Sequence, residues 1–108
     1  MPQYLVERFL PGDPAARLAA VGDRARGFAE QLWSEGIQVR YLGSTMVPQD
    51  QTCFCLFEGP SAEAVREVNT RAGLAFERIL EALWNEGGRK AEAVSAQQDC
   101  PQQGRGQK

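Results

Sequence analysis

The chain has 108 residues, 43% of them hydrophobic and 24% charged, with a formal net charge of −2. That is the profile of one ordinary globular domain, and the charge leaves no basic face for a row of phosphates, which sets nucleic-acid binding aside. No apolar run approaches bilayer length and "MPQYLVERFL" is too short and too charged for a signal peptide, so a cytoplasmic protein without a membrane partner is expected.

Residues 3–9, "QYLVERF", alternate as a strand does, with Leu5, Glu7 and Phe9 on one face and Tyr4, Val6 and Arg8 on the other. "PGDPAA" breaks the strand, and Asp13 before Pro14 predicts a helix capped by the aspartate with proline in its first turn. Leu18, Val21, Ala25, Phe28 and Leu32 then form one apolar stripe, and Gly36 supplies a left-handed stop, so the first helix is expected over about residues 14–35. A half-buried strand follows in "IQVRYLGSTMV", where Ile37, Val39 and Tyr41 alternate with Gln38 and Arg40. After the turn "PQDQ", "TCFCLFE" is the third strand; Ser61 then caps a second helix, "AEAVREVNTRA", that turns Val65, Val68 and Ala72 inward and stops at Gly73.

"LAFERILEALW" fits a helical stripe as well as an alternating strand. A domain with three strands and two helices still lacks the strand that completes a split βαβ pair, so residues 76–84 are assigned to a fourth strand. The remainder, "NEGGRKAEAVSAQQDCPQQGRGQK", has no apolar period and reads as a flexible polar tail. The predicted organisation is a ferredoxin-like α+β domain over residues 1–86 and a tail over 87–108.

Three cysteines, one of them (Cys100) in the tail, do not make a disulfide framework. Cys53, Cys55 and Phe57 share one face of the third strand while Thr52, Phe54 and Leu56 share the other. A zinc or redox pair would need further Cys or His ligands at set spacing, so the plainer reading is that Cys53 and Cys55 are small interior side chains. Apolar residues on both faces carry a second implication. Two helices on one side of a sheet cover only that side, and the simplest cover for the other is a second copy of the chain.

"YLVER" together with "CFCLFEGPSAEAVREVNTRAGLAFERI" resembles the nickel-binding protein-like family (DUF4242), from about residue 2 to residue 82 and most specifically between Phe54 and Gly73. The resemblance implies a small βαββαβ protein, with a four-stranded antiparallel sheet and two helices on one face, that forms a dimeric α/β-barrel. It also implies nickel as a possible cofactor. No other cofactor is expected, and this chain has no histidine to offer a metal.

The absence of histidine also removes Ser-His-Asp and Cys-His arrangements. The candidate ligand-binding residues are therefore Glu7 and Arg8 on a central strand, Arg40, Tyr41, Glu58 and Arg78. Their plainer role is cross-strand ion pairing and packing, with Glu7 and Arg8 paired to Arg78, Arg40 or Glu58. Asp50 and Glu58, flanking the third strand, are weak hard-oxygen candidates for a metal, and Cys53 and Cys55 weak thiolate ones. The function expected is a non-catalytic ligand- or metal-binding homodimer, with a cofactor-independent oxygenase or isomerase of the dimeric α/β-barrel type as the alternative.

Overall fold

The computed structural model describes residues 1–83 and Asn85. Its elements are β1 (Gln3–Phe9), α1 (Pro14–Ser34), β2 (Arg40–Val47), a 3₁₀ turn (Pro48–Asp50), β3 (Thr52–Glu58), α2 (Ala62–Ala72) and β4 (Arg78–Ala82). The strands form one antiparallel sheet in the order β2-β3-β1-β4, which puts β1 and β3 at its centre. Each helix thus links two parallel strands that have a third between them, the split βαβ arrangement of a ferredoxin-like fold. The tail over 87–108, Trp84 and Cys100 lie outside the described residues.

Local chemistry sets the helix ends as the sequence predicts. The Asp13 carboxylate accepts from the Ala15 backbone N–H at 3.2 Å and the Ser61 hydroxyl from that of Ala64 at 3.2 Å, each satisfying a donor that the first turn leaves free. Gly73 closes α2 at φ +70°, a conformation that a β-carbon resists.

Two strand boundaries differ from expectation. β2 begins at Arg40 instead of Ile37 because the intervening backbone folds back on α1, with Ile37 N–H donating to the Leu32 carbonyl at 3.0 Å. Arg40 is also where a partner becomes available, since it pairs with Glu58, the last residue of β3. β4 runs from Arg78 to Ala82, shorter than 76–84; Leu74 N–H is still bound to the Asn69 carbonyl at 3.0 Å, so residues 74–77 serve as the connection.

The core lies between sheet and helices. Val6, Cys53, Cys55 and Phe57 of the central strands meet Val21, Ala25, Ala29 and Leu32 of α1 and Val65 and Val68 of α2, each larger aliphatic contributing about 1.5–3 kcal/mol by leaving water. Arg24 donates from Nε to the Ala72 carbonyl at 2.8 Å, placing a cation at the negative end of α2. Arg71 bridges Glu67 and Glu35, each at 2.8 Å, and so ties the two helices together at the surface.

Candidate functional site

A polar cluster crosses the interior of the helix-covered face, built from three adjacent strands and one helix. Alternation in β1 and β3 turns Arg8, Cys53 and Cys55 to this side, with Arg8 opposite Cys53 and Val6 opposite Cys55. β2 adds Ser44 by a less regular route. Between Tyr41 and Gly43 the register with β3 shifts by one residue, a bulge that inserts Leu42 and puts Tyr41 and Ser44, three apart, on the same face. Ser44 then donates to Cys55 Sγ at 3.0 Å and shares a hydrogen bond with the Tyr41 hydroxyl. Gly22 of α1 leaves room for that hydroxyl, since a β-carbon there would come within 3.1 Å of it.

Arg8 is 1% exposed, and among the described residues it faces no carboxylate within salt-bridge distance. Its Nη1 donates to the Ala75 carbonyl at 3.0 Å and its Nη2 to Asn69 Oδ1 at 2.6 Å. The Asn69 amide is held by its own Nδ2 bond to the Val65 carbonyl at 2.8 Å, which leaves oxygen toward a guanidinium that can only donate. Arg8 Nε is buried with no hydrogen-bond partner among the described residues.

The two thiols are buried at 0% exposure, with their sulfurs 3.8 Å apart. The hydrogen bond from Cys53 holds the Cys55 thiol down at about 6, against the burial that raises it, with the Arg8 cation and Ser44 also favouring the sulfur anion. Cys53 moves the other way, raised first by its hydrogen bond to Cys55 and then by burial. The two shifts have one cause: Arg8 and Ser44 favour a single negative charge shared between the sulfurs, and burial opposes a second. The expectation that Cys53 and Cys55 are interior is met, although they sit in polar company.

The remaining sequence candidates separate. Glu7 and Arg78 pair at 2.6 Å on the sheet face away from the helices, and Arg40 pairs with Glu58 at 3.5 Å. Arg8 does not join these pairs: the cross-strand carboxylate partner expected for it is replaced by Asn69 and a backbone carbonyl. Arg40 and Tyr41 line a cleft of about 300 Å³ between α1 and β2, with Arg26, Glu30 and Trp33. Asp50 ends the 3₁₀ turn. Among the described residues no three His, Cys, Asp or Glu side chains come together as a metal site.

Sequence reasoning missed Asn69 and Ser44. Asn69 was legible in principle, since it falls on the inward stripe of α2 between Val65, Val68 and Ala72. Ser44 was not, because simple alternation from Tyr41 would send it to the opposite face.

A model described as nickel responsive protein SCO4226-like matches residues 4–82. The chain belongs to this SCO4226-like family. Among solved structures, the crystal structure of SCO4226 from Streptomyces coelicolor A3(2) is similar at a TM-score of 0.59 and 26% identity, over 78% of this chain and 99% of that one. A comparison with curated proteins finds no significant match. The relationship agrees with the four-stranded ferredoxin-like fold and makes this a member of a nickel-responsive family. No described helix is long and apolar enough to cross a membrane.

Proposed function

We propose that this protein is a small, non-catalytic metal-responsive module that works as a homodimer, with the helix-free faces of two sheets packed together as an α/β-barrel. The observation that carries the dimer is that face itself. Leu5, Phe54 and Leu56 line its centre around a groove of about 260 Å³, and Leu42, Leu80 and Leu83 are 38%, 42% and 98% exposed around them. Apolar surface of this extent beside rim ion pairs is the composition of a subunit interface, and an isologous pairing would cover it with the same residues.

Family membership supports the metal response, but the described donors of one chain do not fit a tight nickel site. Imidazole is absent, and among the described residues no three ligand side chains converge. The thiols lie beside the Arg8 cation, which opposes entry of a divalent ion. Nickel is then left to surface carboxylates such as Asp50 and Glu58, which bind it in competition with water.

Sedimentation at micromolar concentration is expected to give the dimer mass, and a monomer alone would overturn the assembly. Calorimetric titration of tag-free protein with nickel at neutral pH is expected to give a constant weaker than about 1 μM. A tighter one would show that donors have been overlooked.

A further inference from the structure

The geometry points to a second, unassigned site: we propose that Cys53 and Cys55 bind one soft monovalent metal ion, Cu(I) in the cell, as a bis-thiolate whose negative charge is balanced by Arg8. This rests on the interior cluster alone and is independent of the dimer and of nickel.

Charge selects the ion. Arg8 is a buried cation whose Nη groups are taken by neutral oxygens and whose Nε has no partner among the described residues. A buried cation without a counter-charge is unfavourable, so this interior favours an adjacent anion, and among the described residues the two sulfurs on the strand beside Arg8 are able to become one. When a monovalent ion binds, the pair releases to solvent whatever protons it still holds, two sulfur–metal bonds form and no electron moves. The product carries one negative charge opposite one positive charge. A divalent ion in the same place would form a neutral bis-thiolate, leave Arg8 uncompensated and lack the further donors that such ions take.

Donor type and spacing agree. Thiolates are the soft ligands that select Cu(I), and two suffice for a linear site. A straight sulfur–metal–sulfur unit spans about 4.6 Å at roughly 2.3 Å per bond, so the sulfurs, now 3.8 Å apart, need to separate by less than ~1 Å. Rotation about the Cys side chains supplies that. The Ser44 hydroxyl, 3.0 Å from Cys55 Sγ, is placed to keep donating to a metal-bound sulfur, as outer-shell partners of metal ligands do. Tyr41 lines the cleft between α1 and β2 and is bonded to Ser44, which is bonded to Cys55, so this chain of contacts leads from the cleft to the thiols and is where the ion would enter.

The test is anaerobic competition for Cu(I) against a chromogenic chelator, using the full chain with Cys100→Ser so that the tail thiol takes no part. Copper is added either to folded protein or during refolding, so that slow entry to a buried site is not mistaken for absence. One copper per chain is expected by the second route, with X-ray absorption showing two sulfur neighbours. Cys53→Ala or Cys55→Ala should weaken retention by about 100-fold or more, since half the ligands are gone. Arg8→Met, which fills similar volume, should weaken it by about 10-fold as an outer-shell change. Circular dichroism checks that each variant folds, and the sulfur count from the parent chain decides the matter if one does not. No retained copper by either route, equal retention in the double Cys53→Ala/Cys55→Ala variant, or undiminished affinity in folded Arg8→Met would each overturn the proposal.

Discussion

The two faces of the sheet solve opposite problems with the same strands. The covered side of the sheet buries an arginine, an asparagine and two thiols among aliphatic side chains, while the face turned away from the helices carries the Glu7–Arg78 and Arg40–Glu58 pairs beside Leu5, Phe54 and Leu56. Glu7 and Arg8 are neighbours on β1, yet Glu7 finds a cross-strand ion pair on the second face and Arg8 is enclosed by Ala75 and Asn69 on the first. A polar group inside a closed layer must have its partners built in, whereas an apolar group on an open layer can wait for a second chain. Stability therefore resides in the covered face, and the open face is the one proposed for assembly.

That division predicts mutational effects that differ in kind as well as size. Phe57→Ala, at 0% exposure in the core, should destabilise the chain by about 4 kcal/mol in urea denaturation, independently of protein concentration. A concentration-dependent loss would mean that the core and the dimer interface are coupled.

Asn69→Leu comes next, at about 3 kcal/mol, because it strips the side-chain acceptor from a buried cation. Adding Arg8→Met should recover most of that loss, since two apolar partners leave no unsatisfied charge. A double variant no better than Asn69→Leu would show that Arg8 is not the group that needs Asn69. Urea unfolding of the three variants reads the coupling directly.

Phe54→Glu tests the other face. It should leave the circular dichroism spectrum intact while raising the dimer dissociation constant about 100-fold, or about 2.8 kcal/mol, by placing charge at the centre of the contact. A protein that unfolds instead would place Phe54 in the core. An unchanged sedimentation profile would remove this face from the interface.

The smallest effect belongs to the surface bridge between the helices. Hydrogen bonding to Arg71 lowers the Glu35 pKa from the ordinary 4.5, so the carboxylate contributes stability above that unfolded-state value and loses it as pH falls through the lower folded-state one. Glu35→Gln should flatten the acid limb of the stability curve slightly and leave stability near neutral pH almost unchanged. A large loss at neutral pH would give this exposed bridge more weight than its solvation permits.

The element order, both N-caps, the glycine stops and the inward stripes of both helices were determined by sequence alone, because each depends on contacts within a few residues. The two-sided apolar character of β3 and the interior placement of Cys53 and Cys55 followed from the two-residue period of a strand. Even the fourth strand, ambiguous by periodicity, followed from what the other elements lacked. Which partner Arg8 takes was decided only in three dimensions, because Asn69 and Ala75 lie 61 and 67 residues away and no local pattern announces them. Ser44 likewise joins the thiols only because the bulge at Leu42 reverses the alternation of β2. A single extra residue changes which face every later side chain occupies, and the cross-strand pairing that reveals it exists only in the folded sheet.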